Sequence, residues 1–434
     1  MQSSSKYTTP AVALCGLNVV RSIGLAGIPV IVARYEDFNE VKFSKYTKEY
    51  HTIPHPFREE EACLDKIISI AAALPEKPVL YYGDDVKLSF VSKHRERLSE
   101  YYHFLLPEEA LLESFLNKGQ FIDLANELDL AIPKSIVAGS LHSPDEIRKF
   151  LKFPIFVKPN LKKDWRDSPW RKFLKERPHK GFLVKDFQEL TNVWEALVGI
   201  SSDFILQEYI FGGDDEIYSY HSYVGRDRKL LGAFIGKKIR TYPRLSGAST
   251  YLELVHNDEV AEIGMETVTR LGLQGISKLD FKRDSRSGKY MVLEVNARFN
   301  LWNYLGAKNG VNLAEVAYCH LLGLEHKPQF EFSTRYHWIS LENDIRALIE
   351  YRRHDEWTVF AWIKSLFKTK VYNYFAWDDP RPFFAKIQNF LMKRIRPAKK
   401  QTTPESRPSA KGNVKDIQEL SIEEGVHTKD TEIV

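Results

Sequence analysis

Residues 276–298, ISKLDFKRDSRSGKYMVLEVNAR, constrain this chain more than any other stretch. Two runs alternate apolar and polar residues and meet at a polar turn carrying Gly288, the pattern of a β-hairpin. With the turn centred near Ser287, Asp280 and Glu294 stand at equal distances from the centre and fall opposite one another. Period two then puts Lys278, Asp280 and Lys282 on one face with Glu294, Asn296 and Arg298, and Leu279, Phe281, Leu293 and Val295 on the other. Two facing carboxylates at about 5 Å between Cβ atoms repel. A hard cation between them relieves that repulsion, and Mg²⁺ is the ion that takes one or two carboxylates and completes its shell with water and phosphate oxygens. The alternative is a solvated face on which Lys278 and Lys282 pair with the acids.

The 434 residues suffice for two or three domains. Apolar content of 43% and charged content of 28% are those of an ordinary globular chain, and a formal charge of +4 argues for no particular partner. Cys15, Cys63 and Cys319 have neither metal-ligand nor disulfide spacing, which fits a reducing compartment. The polar start MQSSSKYTTP is not a secretory signal, and no run approaches the length of a membrane span, so a cytoplasmic enzyme is the expectation.

The chain opens as β-turn-α-β: AVAL at 11–14, a turn at Cys15-Gly16, an apolar-periodic helix to about Ala26, a break at Gly27-Ile28-Pro29 and VIVA at 30–33. This predicts a doubly wound, Rossmann-like unit. The single turn glycine is not a dinucleotide fingerprint and is equally read as a small residue the turn requires. Further strands are expected at 78–82 and 103–106, with Asp84 and Asp85 capping the helix that follows the first of them. Residues 43–56 read as a surface strand with a loop, or as an aromatic-basic patch for nucleic acid, which the acidic 59–61 weakens.

From Glu109 to Leu128 the apolar spacing is helical, with Gly119 at an interruption and Lys118 beside it. The strand FPIFVKP at 153–159 carries Lys158 near its end, either reaching a ligand or snorkelling to water. Residues 161–180 hold eight Lys or Arg against three Asp or Glu, with Trp165 and Trp170. A phosphate-gripping lid, a polyanion contact and a solvated insertion all fit that composition. The strand FILQEYI and the acids Asp214 and Asp215 follow, and then a Tyr-, Lys- and Arg-rich antiparallel region to about 254. Residues 335–396 are aromatic and basic and read as a helical appendage. Its end, 383–396, is amphipathic and either packs inward or touches a membrane surface. From Pro397 the composition supplies no core and predicts disorder.

Lys118 after a helix, Lys158 on a strand, QEYI with acids behind it, and DFKRD with EVNAR in a hairpin occur in one order. In that order they resemble the ATP-grasp superfamily, and within it the D-aspartate ligase-like branch of carboxylate-amine ligases, over about residues 8–320. The resemblance implies an α/β and α+β architecture: a Rossmann-like pre-ATP-grasp domain (1–110), a two-lobed ATP-grasp domain (111–325), an aromatic, mostly helical C-terminal region (326–397) and a disordered tail (398–434). It implies ATP and one or two Mg²⁺ ions, with Mn²⁺ as a substitute. Lys118 and Lys158 match the lysines that reach the phosphates. Gln207, Glu208, Tyr209 and Ile210 match the hinge that reads adenine, and Asp214 or Asp215 the acid that holds the ribose. Asp280, Glu294 and Asn296 match the metal ligands, and Arg298 the group that stabilises the transferring phosphoryl. Lys238, Arg240 and Arg244 lie where this branch places bases near the acceptor site.

The activity implied is an ADP-forming ligase that activates a carboxylate, such as that of an amino acid, as an acyl phosphate and joins it to an amine. Its partners would then be small-molecule carboxylates and amines, with no nucleic acid and no membrane span; a homo-oligomer is compatible with the sequence. One departure favours an alternative. The basic segment 161–180 stands where many members carry a glycine-rich phosphate loop, with Gly181 only at its end. A catalytically impaired ATP-binding scaffold that uses its basic aromatic surfaces for interaction would also explain this.

Overall fold

The computed structural model describes residues 6–36, 38–140, 143–160, 181–201, 203–245 and 247–395. The basic segment 161–180 and the tail 398–434, and with them the lid and disorder expectations, lie outside the described residues. Residues through Ile387 form one compact unit, and those from Gln388 a second, of which the end of one helix is described.

The first sheet is wholly parallel, in the order β3-β2-β1-β4, from β1 (Ala11–Leu14), β2 (Val30–Arg34), β3 (Thr47–Thr52) and β4 (Val79–Tyr82). AVAL and VLYY are buried along their whole length, as central parallel strands covered by helices must be. Helix α1 (Leu17–Leu25) follows the Cys15-Gly16 turn and buries Leu17, Val19, Val20 and Ile23. After α2 (Glu60–Ala72) and β4, helix α3 (Asp85–Lys93) is capped by Asp84, which accepts from the Lys87 N–H at 3.0 Å. Helix α4 (Arg95–Tyr101) leads to the segment expected as a strand at 103–106, which is reduced to a single bridge between His103 and Val79.

The helical run 109–128 is two helices, α5 (Glu109–Leu116) and α6 (Lys118–Glu127). The junction lies at Asn117, whose side chain accepts from the Gln120 N–H. A second sheet, order β5-β8-β6-β7, joins β5 (Ser135–Val137), β6 (Ile155–Pro159), β7 (Phe182–Val184) and β8 (Phe204–Glu208), all in antiparallel pairs. Helices α7 (Pro144–Ile147) and α8 (Phe187–Ile200) cover it. Ile155, Val157, Leu190, Trp194, Leu197 and Leu206 form a core separate from that of the rest of the chain.

The third sheet has seven strands in the order β13-β12-β9-β10-β11-β14-β15. Its members are β9 (Ile217–Val224), β10 (Leu230–Tyr242), β11 (Ala248–Leu254), β12 (Gly275–Arg283), β13 (Tyr290–Asn296), β14 (His337–Ile339) and β15 (Lys370–Tyr372). Helices α9 (Asp258–Arg270), α10 (Trp302–Asn309) and α11 (Leu313–Leu321) pack against it. A Cβ at Gly236 of β10 would collide with the Trp302 ring, so the glycine admits that indole onto the sheet. The C-terminal region contributes α12 (Leu341–Arg352), α13 (Val359–Leu366) and α14 (Arg381–Ile395), but is not helical throughout, because β14 and β15 extend the third sheet. A fully buried ion pair, Arg21 Nε to Asp379 Oδ2 at 2.9 Å, fastens α1 to the segment before α14. Within the first unit, Phe384 of α14 is 61% exposed. Among the described residues no helix is long and apolar enough to cross a membrane.

Candidate nucleotide and metal site

The register of β12 on β13 pairs Asp280 with Glu294 and Lys278 with Asn296, as the spacing predicts. One residue further the ladder slips: Phe281 pairs with Val292, and Leu293 is the extra residue of a bulge. Val292 rather than Leu293 therefore joins Phe281 on the buried face beyond the bulge. The bulge sits directly beside Glu294, at the point where the two carboxylates are presented.

Asp280 is buried and heavily engaged. It accepts from Lys278 Nζ at 2.6 Å and from Ser219 Oγ on β9, and Lys238 Nζ of β10 lies 3.5 Å away. Burial alone would raise the Asp280 pKa, but the two ammonium groups outweigh it and hold the carboxyl well below the usual range. Burial pushes Lys278 down to about 8 against the pull of Asp280. Asn296 Oδ1 accepts from Arg298 Nη2 at 3.0 Å, and Arg298 Nε donates to Asp85 Oδ1 at 2.6 Å. Asp85 thus brings the first sheet to this hairpin and is not merely a cap; that duty falls to Asp84.

The second sheet carries Gln207–Ile210, the segment expected as the hinge. Lys158 Nζ donates to Gln207 Oε1 at 3.0 Å, and Gln207 Nε2 donates to Ser135 Oγ at 2.8 Å. Lys118 Nζ donates to the carbonyls of Pro159 and Asn160, both at 2.8 Å, at the end of the strand that carries Lys158. The N–H groups of Glu208 and Tyr209 are spent on the carbonyls of Lys134 and Pro154, whereas that of Ile210 has no partner among the described residues. Past the hinge, Phe211 N–H donates to Asp284 Oδ2 at 3.3 Å, Ser285 N–H donates to the Phe211 carbonyl at 3.0 Å, and the Arg286 guanidinium lies over the Phe211 ring. The hairpin turn is in this way clasped to the hinge. A pocket of about 550 Å³ opens here, lined by Pro133, Glu208, Tyr209, Ile210, Arg286 and Met291 among others.

Three residues of the expected site are engaged by partners outside the hairpin. Arg240 is fully buried, with Nε and Nη2 donating to Asp344 at 2.9 and 2.8 Å and its guanidinium 4.4 Å from the ring centroids of both Tyr251 and Trp357. It is a framework residue. Strict alternation would put it beside Lys238, but a bulge at Ile239 turns it to the other face: Lys238 pairs with Leu252 and Arg240 with the next residue, Tyr251. Arg244 is tied to Glu356 at 2.8 Å and to Glu350 through its N–H, away from the hairpin acids. Asp214 is 3% exposed and accepts from Thr241 Oγ1, Leu245 N–H and the Tyr351 hydroxyl, whereas Asp215 beside it is exposed.

Two carboxylates and an amide oxygen on adjacent strands form a donor set that fits an ion sharing its remaining positions with phosphate oxygens and water. Among the described residues no group of three or more His, Cys, Asp or Glu gathers, so an all-protein metal cage is absent there. Sequence reasoning missed Asp85 as a partner of Arg298.

No family model matches the chain. Over 250 residues it is 24% identical to D-aspartate ligase of Enterococcus faecium (strain Aus0004); the match covers 55% of this chain and 57% of that protein, little more than half its length. Among solved structures, the L-amino acid ligase from Bacillus licheniformis superposes with a TM-score of 0.53 at 17% identity, over 73% of this chain and 75% of that one. N5-carboxyaminoimidazole synthetase from Staphylococcus aureus, complexed with ADP, gives 0.56 at 13% identity over 75% and 79%. Biotin carboxylase from Campylobacter jejuni gives 0.57 at 13% over 77% and 75%. The chain therefore has the ATP-grasp fold and, within that fold, resembles D-aspartate ligase.

Proposed function

We propose that the chain is an ATP-dependent, ADP-forming ligase that activates a carboxylate as an acyl phosphate and joins it to an amine. The observation that carries this reading is the pairing of Asp280 with Glu294 beside Asn296 and Arg298, with a nucleotide hinge clasped to the same hairpin. The likeness in sequence to D-aspartate ligase supports an amino acid as one substrate.

In the first step a carboxylate oxygen of the substrate forms a bond to the γ-phosphorus and the bond to the β-bridging oxygen breaks, releasing ADP. In the second the amine nitrogen attacks the acyl carbon, phosphate leaves and the nitrogen loses a proton. Magnesium, held by Asp280, Glu294 and Asn296, would neutralise charge on the β- and γ-phosphates. The chain's own cations do the rest. Arg298, fixed by Asp85, faces the transferring group, and Lys238 and Lys278 lie close enough to Asp280 to meet an anion delivered there. Lys118, at the start of α6, and Lys158, near the end of β6, supply positive charge on the opposite lobe.

The test is phosphate release from MgATP with amino acids and amines supplied singly and together. Release that requires both supports the ligase. ADP binding without turnover under broad substrate supply would favour the impaired-scaffold alternative.

A further inference from the structure

Lys282 is 7% exposed, yet among the described residues its ammonium makes no hydrogen bond and no ion pair. Its one neighbour of note is the face of the hinge residue Tyr209, 4.8 Å from Nζ to the ring centroid. Four acids surround it without closing on it. Asp214 is taken by Thr241, Leu245 and Tyr351, and Asp284 by the N–H groups of Phe211, Arg286 and Ser287. Glu216 is drawn toward Arg283, and Asp215 is exposed. Its stem is covered, but Nζ is not sealed from solvent, so its three donors are open to a ligand.

Position supplies that use. Lys282 lies two residues from Asp280 on the same face of β12, about 7 Å along the strand. A nucleotide whose phosphates rest at Asp280 and Glu294 and whose base reaches Gln207–Ile210 must pass over it.

We infer that Lys282 is a nucleoside-recognition residue: its ammonium donates a charge-assisted hydrogen bond to an acceptor on the purine or the ribose, next to the Tyr209 ring. The inference rests on the nucleotide reading above. Binding of the nucleotide then supplies an acceptor to an ammonium that has none among the described residues.

Calorimetry on the full chain, without carboxylate or amine, tests it with Mg-ADP and with Mg-tripolyphosphate, which has no nucleoside. Lys282→Met should weaken ADP by about 10- to 100-fold, the range for one charge-assisted hydrogen bond, and leave tripolyphosphate unchanged. Its melting temperature without ligand should stay close to that of the wild type, because the ammonium makes no hydrogen bond or ion pair among the described residues. Lys282→Gln, which keeps one neutral donor, should fall between the two and serves if the methionine variant fails to fold. ADP analogues identify the acceptor: whichever of 7-deaza-ADP and 2′-deoxy-ADP lacks it should bind the wild type more weakly than ADP does, but bind Lys282→Met as ADP does. Equal ADP affinity in wild type and Lys282→Met, or equal losses of ADP and tripolyphosphate, would overturn the inference. A wild type that binds no ADP would instead overturn the nucleotide reading itself.

Discussion

Arg298 and Asp85 stand 213 residues apart and meet at 2.6 Å, Nε to Oδ1, so that a carboxylate at the start of α3, just after β4 of the first sheet, holds the guanidinium at the end of the β12–β13 hairpin. Asn296 takes the other side of that guanidinium, which leaves Arg298 little freedom to rotate. A group meant to meet charge on a transferring phosphoryl gains from being fixed in advance. Asp85→Asn should lower kcat by about 10- to 100-fold, the range expected when a catalytic group loses its placement by about an ångström. The affinity for ADP should not change, and Asp85→Glu should recover part of the loss. Steady-state kinetics with ADP calorimetry reads this, and unchanged kcat in Asp85→Asn would count against a positioning role.

Lys238 and Arg240 lie two positions apart on β10 and should behave oppositely. Arg240→Met strands Asp344 as an unpaired buried charge and should cost about 3–5 kcal/mol of stability in urea. Lys238→Met should change stability by no more than about 1 kcal/mol while removing turnover, because its ammonium faces Asp280 at 3.5 Å. Equal destabilisation by the two would contradict the bulge-based assignment.

Asp284 gathers the N–H groups of Phe211, Arg286 and Ser287 and so joins the hinge to the hairpin turn. Asp284→Ala leaves those donors without their acceptor and should cost about 1–3 kcal/mol. ADP affinity should fall with it, since the turn then no longer fixes the hinge. Urea denaturation and calorimetry on the same sample check both, and a destabilised variant with unaltered ADP affinity would confine Asp284 to a structural part.

The titration of Lys278 gives a pH test without nucleotide or metal. The folded chain gives up this proton at about pH 8, the unfolded chain only at about 10.5. Between those values the unfolded state binds more protons, so stability rises with pH. Above about pH 9 the three buried thiols, all raised by burial, act in the other direction. From pH 7.5 to 9 the urea midpoint of the wild type should therefore rise more than that of Lys278→Met. Parallel profiles would show that Lys278 does not titrate in this window.

Where the chemistry is carried by alternation along a strand, it is legible in the chain itself. Asp280 opposite Glu294 follows from counting residues about the turn, and AVAL, VIVA and FPIFVKP form strands because their apolar runs lie between clear turn signals. What escaped depended on exceptions to the period or on distance along the chain. Bulges at Leu293 and Ile239 reverse the faces of Phe281's partner and of Arg240, and nothing local in MVLEVN or KKIRTY signals an extra residue. The short strands HWI and KVY sit in aromatic surroundings that also suit helices, and only the free edge of β11 selects the extended form. Asp85 reads as a cap because its partner lies in another sheet. Lys282 reads as one more polar residue on an alternating strand, since burial without an acceptor is not a property of sequence.

The most direct measurement is phosphate release from MgATP by the full chain against a panel of amino acids and amines, with Glu294→Gln as the comparison. The ligase account predicts release that needs a carboxylate and an amine together, and a loss of at least about 100-fold in Glu294→Gln, since that carboxylate would hold the ion on which charge neutralisation depends. Release that is independent of both substrates, or that survives unchanged in Glu294→Gln, would contradict it.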